Sequence, residues 1–250
     1  MSLFDSLKKL IVSSELRSDD TNKSNISTLP PGKFSDNLNY MIFEGEGVYS
    51  KTGRKRKIKI EAFSEHEAID ELKSSGYVPE TINIYRVPFA PPTEEQIKAM
   101  KKHKNRIPKN ACMEDISFLI EKSMREQRDP DKQLIDFATS QKVKFSYYTG
   151  EESLYDRIWY KFSLEEKFAF YVICVKKDKT NIWDFNSFNR YKDMASNYLN
   201  DDTFMNSFKR YANKGGEFHG FIREKVDKDG YSINTTSRNT NCYKIAASIV

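Results

Sequence analysis

The side chains able to do chemistry are few and scattered. Three cysteines (Cys112, Cys174, Cys242) and three histidines (His66, His103, His219) are the whole supply of soft metal ligands and near-neutral bases. No histidine lies at helical spacing from another histidine or from a cysteine. A His-Glu-x-x-His helix or a paired Cys-x-x-Cys zinc site therefore cannot be assembled from local sequence. Cys112 has lysines nearby that would lower a thiol pKa, but no histidine stands beside it as a partner. Cys174 sits in an apolar run and reads as a buried small hydrophobe. The turn Gly215-Gly216-Glu217-Phe218-His219-Gly220 carries the acid/base pair with an obvious loop context, and it reads more simply as a helix stop. Asp201-Asp202 reads as an N-cap pair facing a helix dipole rather than as a pair of metal carboxylates. No Gly-x-x-x-x-Gly-Lys phosphate loop is present. The sequence predicts no catalytic residue, no metal, no cofactor and a protein that is not an enzyme.

Cationic side chains are the better-placed chemistry. Arg54, Lys55, Arg56, Lys57 and Lys59 fall within six residues, and Lys98, Lys101, Lys102, Lys104, Arg106 and Lys109 fall within twelve. Clusters of this kind can hold phosphate groups, and they can equally be solvated faces. The whole chain has 41 basic and 36 acidic residues, a net charge of +5. That excess is mild for a dense nucleic-acid binder. Aromatics interleave with cations at Tyr147, Tyr148, Trp159, Tyr160 with Lys161, and Phe208 with Lys209, Arg210 and Tyr211. At helical spacing such stripes read as core before they read as base-stacking platforms.

The elements that must position these groups follow from pattern. In residues 1–16, Leu3, Phe4, Leu7, Leu10 and Ile11 form one stripe of an amphipathic helix, which predicts a docking element that covers its stripe on the chain's own body or a second copy, on a protein partner, or on a membrane surface. Residues 17–37 are polar and end in Leu29-Pro30-Pro31-Gly32, a flexible linker. Residues 38–90 read as a ββαβ module. Residues 41–49 have strand composition, Lys51-Thr52-Gly53-Arg54 makes a turn, and 57–63 alternates with period two. Ser64 stands three residues before Glu67 as a capping box, and 81–87 form a third strand. Pro88, Pro91 and Pro92 mark a boundary. Residues 161–250 are predicted to be helical and then to end in an irregular tail. Within them Ser163 and Glu166 cap a helix, 167–175, that is apolar on nearly every face and so must be buried on all sides. A hairpin around Asp229-Gly230 is an alternative for part of the tail. The expected fold class is α+β, a small ββαβ module followed by a mostly helical domain.

Residues 91–160 contain an internal repeat. At an offset of 37, Gln96, Ile97 and Met100 correspond to Gln133, Leu134 and Phe137. At an offset of 38, Glu114, Ile116 and Ile120 correspond to Glu152, Leu154 and Ile158. Each copy reads as a helix, an extended loop and a second helix. Thr93 is the expected cap of the first helix, and Thr149 of the second helix in copy two.

On Thr93, Gln96, Ile97, Ile107, Pro108, Asp115, Ser117, Leu119 and Ile120, with the corresponding outline in copy two, residues 93–158 resemble the SAP family of small nucleic-acid-binding motifs. The resemblance implies contacts to a DNA or RNA backbone from Lys98, Lys101, Lys102, Lys104, Arg106 and Lys109, with Arg54 and Arg56 as a second basic surface. His103-Lys104-Asn105 stands where the family has a small-residue turn.

With 38% hydrophobic and 13% aromatic residues and a mean hydropathy of −0.72, the chain reads as soluble and folded, not disordered. No apolar run approaches the ~20 residues of a bilayer crossing, so no stable membrane insertion is expected. Few cysteines suggest a reducing, cytoplasmic setting, and the composition suggests a bacterial or phage origin. The leading expectation is a non-catalytic nucleic-acid-associated accessory protein. The alternative is a protein-protein adaptor or structural assembly component with no nucleic-acid binding.

Overall fold

The computed structural model describes residues 36–102, 106–212, 222–226, 232–236 and 238–250. The stripe Leu3, Phe4, Leu7, Leu10 and Ile11, linker residues 17–35, His103, Lys104, Glu217 and His219 lie outside the described residues. The fold is α+β, a three-stranded antiparallel sheet followed by helices.

Strands β1 (Met41–Tyr49) and β2 (Arg54–Ala62) form the expected hairpin, with Met41 opposite Ala62 and Tyr49 opposite Arg54. Strand β3 (Asn83–Val87) returns along the other edge of β1, from Asn83 opposite Glu46 to Val87 opposite Ile42. The sheet order is therefore β2-β1-β3, all antiparallel. Period-two alternation sends Phe43, Ile58 and Ile84 to one face. There they bury against Ala68 and Leu72 of helix α1 (Glu65–Ser74). The cap of α1 follows its local sequence. Ser64 Oγ accepts the Glu67 N–H at 3.2 Å, and Glu67 Oε2 accepts the Phe63 N–H at 2.9 Å. Gly45 belongs to the β1–β3 contact, because a Cβ there would sit 2.0 Å from the Asn83 carbonyl oxygen.

The opposite face of the sheet meets the helical region at one end only. Ile42 packs with Leu38, Tyr40, Phe89, Cys112 and Phe118. Just before β1 the chain pairs with residues 145–147. Asn39 N–H donates to the Phe145 carbonyl at 3.2 Å, and Tyr147 N–H donates to the Asn37 carbonyl at 2.8 Å.

Four helices follow: α2 (Glu94–Lys102), α3 (Met113–Met124), α4 (Lys132–Ser140) and α5 (Glu151–Lys161). The pairs α2/α3 and α4/α5 run 9 and 12 residues against 9 and 11. The residues aligned between the two copies are mostly inward-facing. Met100 and Phe137, Ile116 and Leu154, and Ile120 and Ile158 are all buried. Thr149 is not a helix cap. The α5 N-cap is Gly150, and the Thr149 hydroxyl instead accepts the Ser146 N–H at 3.1 Å. Glycine is required there, because a Cβ on Gly150 would fall 2.1 Å from Gln127 Oε1. That close approach lets Gln127 accept the Ser153 N–H at 3.0 Å and join the loop after α3 to α5.

Helix α6 (Leu164–Thr180) is the expected pillar, with every residue from Phe168 to Val175 buried. Its Ser163/Glu166 capping box closes in both directions, at 3.3 and 3.0 Å. Around it pack α7 (Phe188–Leu199), α8 (Asp202–Ala212) and α9 (Asn241–Ile249). The start of α8 is capped as its sequence suggests, Asp201 Oδ1 accepting the Thr203 N–H at 2.7 Å. At the chain end the hairpin alternative forms, strands β4 (Ile222–Val226) and β5 (Ser232–Thr236) pairing antiparallel, and the tail departs from the irregular reading in ending on a helix. Helix α9 then buries Cys242, Tyr243 and Ala246 in the main core. Thr240 caps α9, its Oγ1 accepting the Tyr243 N–H at 3.4 Å. Among the described residues, no helix is long and apolar enough to cross a membrane.

Candidate nucleic-acid interface

The basic stripe on α2 is produced by how that helix is anchored. Thr93 Oγ1 accepts the Gln96 N–H at 3.2 Å and Gln96 Oε1 accepts the Thr93 N–H at 3.0 Å, a reciprocal cap. The same Gln96 side chain then donates to the Met113 carbonyl at 2.9 Å and to Ser117 Oγ at 2.8 Å. Its one amide group thus caps α2 and ties it to α3. Met100 is fully buried and packs in a small core with Ile116 and Ile120. With Met100 inward, Lys98, Lys101 and Lys102 lie at i, i+3 and i+4 and share the solvent face. All three are exposed, as are Arg106 and Lys109 in the following loop. None of the five is held in an ion pair among the described residues. Lys101 and Lys102 also occupy the last turn of α2, where positive charge complements the helix dipole.

The second predicted basic surface is partly neutralised within its own sheet. Lys55 pairs with Glu46 at 2.5 Å and Lys59 with Glu44 at 3.6 Å. Arg56 is exposed but lays its guanidinium over the Tyr49 ring, 4.4 Å from the centroid. Arg54 is exposed at the turn. The structure does not bring this hairpin and α2 together at one end of the sheet. The chain leaves β3 toward α2 at Val87, opposite Ile42, whereas the hairpin turn lies beyond Tyr49. Seven residues of strand, ~24 Å at ~3.4 Å each, separate those two ends.

Copy two uses its loop cations differently. Lys142 pairs with Glu67 at 3.0 Å, and Lys144 pairs with Glu61 at 3.6 Å while donating to the Glu61 carbonyl at 2.6 Å. These lysines clamp the helices onto the sheet. Burial tends to raise the Glu67 pKa, but the Phe63 N–H and the Lys142 ammonium outweigh it and hold that carboxyl below its ordinary value. Copy one therefore presents its cations to solvent, and copy two consumes them internally.

The remaining candidates resolve as follows. Cys112 is buried, and that burial pushes its thiol up to about 12, opposite to the activation its lysine neighbours suggested in sequence. Cys174 is also raised by burial. Trp159 and Phe208 are core, in edge contact at 5.7 Å. Tyr147 and Tyr160 are 58% and 50% exposed, outside the core role expected of them. Sequence reasoning missed a buried carboxylate, Asp115, which is 0% exposed. It accepts from Ser146 Oγ at 2.7 Å, Cys112 N–H at 3.2 Å and Asn37 Nδ2 at 3.3 Å, fixing the start of α3 to two distant loops. Arg125 is a second missed group. Its guanidinium reaches Glu121 at 3.3 Å, Asp156 at 3.4 Å and Glu152 at 3.6 Å, joining α3 to α5.

Between the sheet and the start of α3 lies a cleft of about 220 Å³ lined by Ile42, Glu44, Lys59, Val87, Phe89 and Glu114, among others. Burial raises the Glu114 pKa above its ordinary value, and the charges of Glu61 and Asp115 add to this. Its Oε2 has no hydrogen-bond partner among the described residues. The native state thus holds the Glu114 proton more tightly than the unfolded chain does. This favours folding below the ordinary carboxylate pKa and is lost as pH rises through the native value. Glu114→Gln removes the ionisation, so its Tm relative to the parent protein should rise between pH 4 and pH 7. Thermal melts of both proteins across that range check this, and a constant difference would contradict it.

Among the described residues, no group of three His, Cys, Asp or Glu side chains is placed to hold a metal ion. No family model matches this sequence, and comparisons with curated proteins and with solved structures return no match.

Proposed function

We propose that the protein is a non-catalytic nucleic-acid-associated accessory protein that grips the phosphate backbone through α2 and the loop after it. The observation that carries this reading is the α2 stripe. Among the described residues, Lys98, Lys101 and Lys102, followed by Arg106 and Lys109, are exposed and free of ion pairs, while Lys55 and Lys59 of β2 and the lysines of the 142–144 loop are engaged by carboxylates. Unpaired cations are the ones that release counterions on meeting phosphate, and counterion release supplies sequence-independent affinity. The SAP-like outline and the matched helix lengths of α2/α3 and α4/α5 support the same reading. The anchoring of α2 by Gln96 and Met100 gives the stripe a rigid base, which limits the ordering cost of binding.

The test is fluorescence anisotropy of a labelled duplex of about 20 base pairs, titrated with the full chain at ~50 mM and then rising salt. Binding that weakens steeply with salt and shows little sequence preference is the expected outcome. Absence of binding at the lowest salt removes this reading. It would leave the adaptor alternative, which is tested by pull-down with and without residues 1–16.

A further inference from the structure

Strand β2 is an edge of its sheet, and the direction of its backbone groups follows from its neighbour. Val48 N–H donates to Thr81 Oγ1 at 2.9 Å, and the Val48 carbonyl accepts the Val78 N–H at 2.9 Å. The even-numbered residues of β1 therefore turn their backbone groups toward the β3 side, and the odd-numbered ones turn theirs toward β2. In register, Val48 stands opposite Lys55, Glu46 opposite Lys57, Glu44 opposite Lys59 and Ile42 opposite Glu61. Lys55, Lys57, Lys59 and Glu61 thus point their N–H and C=O groups away from β1, off the edge of the sheet.

That edge is closed at one end. Lys144 Nζ donates to the Glu61 carbonyl at 2.6 Å, and Glu67 Oε2 accepts the Phe63 N–H at 2.9 Å. From Lys55 to Lys59 the outward groups have no partner among the described residues. Donors and acceptors alternate there along ~14 Å of strand, at ~3.4 Å per residue. The side chains then say which strand suits the edge. Lys55, Lys57 and Lys59 stand on the sheet face turned away from α1, and Arg56 and Ile58 stand on the α1 face. Lys55 and Lys59 reach Glu46 and Glu44, yet remain 63% and 69% exposed. Lys57 has no carboxylate partner among the described residues. The cations Arg54, Lys55, Arg56, Lys57 and Lys59 outnumber the facing carboxylates Glu44 and Glu46, so the edge is positive. On the α1 face, Ile58 is buried and Ile60 half-buried, which makes that row apolar beyond Arg56.

We propose that the outer edge of β2 takes an extended acidic segment of a partner protein as an added antiparallel strand. Acidic residues at alternate positions lie opposite Lys55, Lys57 and Lys59, and the apolar residues between them lie beside Ile58 and Ile60. Opposite charges across a strand pair stabilise it, and like charges destabilise it. The same lysines therefore exclude a second copy. Two β2 edges related by a two-fold at Lys57 would set Lys57 against Lys57 and Lys55 against Lys59. A nucleic-acid backbone suits the ammonium groups and the outward N–H groups, but its phosphates bring no donor to the outward carbonyls between them. Only another strand matches donors and acceptors in alternation. Antiparallel addition continues a sheet whose strands already run antiparallel. The edge is separate from the α2 stripe, and neither reading rests on the other.

The probe is a fluorescein-labelled heptapeptide that alternates valine and glutamate, begins and ends on valine and is capped at both ends. It is titrated against the full chain by anisotropy at ~50 mM salt and should bind saturably. Methylating its glutamate amide nitrogens, which face β2, should weaken binding by about tenfold or more, because those donors are lost. Methylating the internal valine nitrogens, which face away, should leave binding within about twofold. An isomer with its glutamates grouped at one end should bind about tenfold more weakly. Lys57→Pro removes one outward N–H and one charge while leaving the β1–β2 ladder intact, and it should weaken binding about tenfold. Lys57→Glu should do the same and serves if proline disturbs the strand. No binding to the parent, equal effects of the two methylation patterns, equal binding of the grouped isomer, or displacement by a single-stranded oligonucleotide of matched charge would each overturn the proposal. Duplex binding through α2 should be the same in the parent and in Lys57→Pro, so failure here and failure of the phosphate-binding reading are separable.

Discussion

Phe170→Ala should destabilise the protein by ~3–5 kcal/mol, the usual cost of emptying a buried phenylalanine site. Phe170 is 0% exposed in the middle of α6. Its ring lies 5.9 Å from Phe137, 5.9 Å from Tyr155 and 6.0 Å from Phe162, so three elements meet on it. Relaxation cannot fill the space, because the neighbouring residues of α6 are themselves buried on every side. For a chain of this size the loss corresponds to a fall in Tm of roughly 10 °C. Phe170→Leu keeps most of the volume and should cost well under half as much. Denaturant or thermal unfolding of the two variants checks both values, and near-parental stability of the alanine variant would contradict the pillar role of α6.

Replacing Lys98, Lys101 and Lys102 together by alanine should change binding far more than stability. Five exposed cations meeting five phosphates imply a slope of log K on log salt of about −4.5, which is roughly 500-fold between ~50 and ~200 mM salt. Removing three leaves a slope of about −1.8, or roughly 12-fold over the same range. The fold should tolerate the change within ~0.5 kcal/mol, since the three side chains are exposed and alanine favours helix. The matching control is Lys55→Ala/Lys59→Ala on β2. Both of those lysines already face carboxylates at 2.5 and 3.6 Å, so their removal should leave the slope almost unchanged. Equal losses from both variants would mean that binding follows net charge and not the α2 stripe.

What the sequence made legible was local. Thr93/Gln96 and Ser163/Glu166 close as reciprocal caps three residues apart, and Ser64 caps the Glu67 N–H while the Glu67 carboxylate accepts from Phe63. The α6 pillar was legible because a helix apolar all round has only one stable location. The α9 helix was obscured by the Ser/Thr/Asn-rich stretch before it, although Thr240 followed by Tyr243 and Ala246 at helical spacing carried the signal. The non-local pairings were not legible. Lys142 reaches Glu67 across 75 residues of chain, which decides that the copy-two loop is a clamp. Asp115 meets Asn37 and Ser146 from different parts of the chain. Phe137 stacks on Phe185, a contact that no periodicity encodes.

Lysine footprinting addresses the phosphate-binding reading most directly. The full chain would be acetylated briefly at low salt, with and without duplex, and the modified positions read by mass spectrometry. Protection concentrated at Lys98, Lys101, Lys102 and Lys109, with Lys55 and Lys59 unchanged by the duplex, is the expected pattern. Protection absent from α2, or strongest on the β2 hairpin, would contradict it.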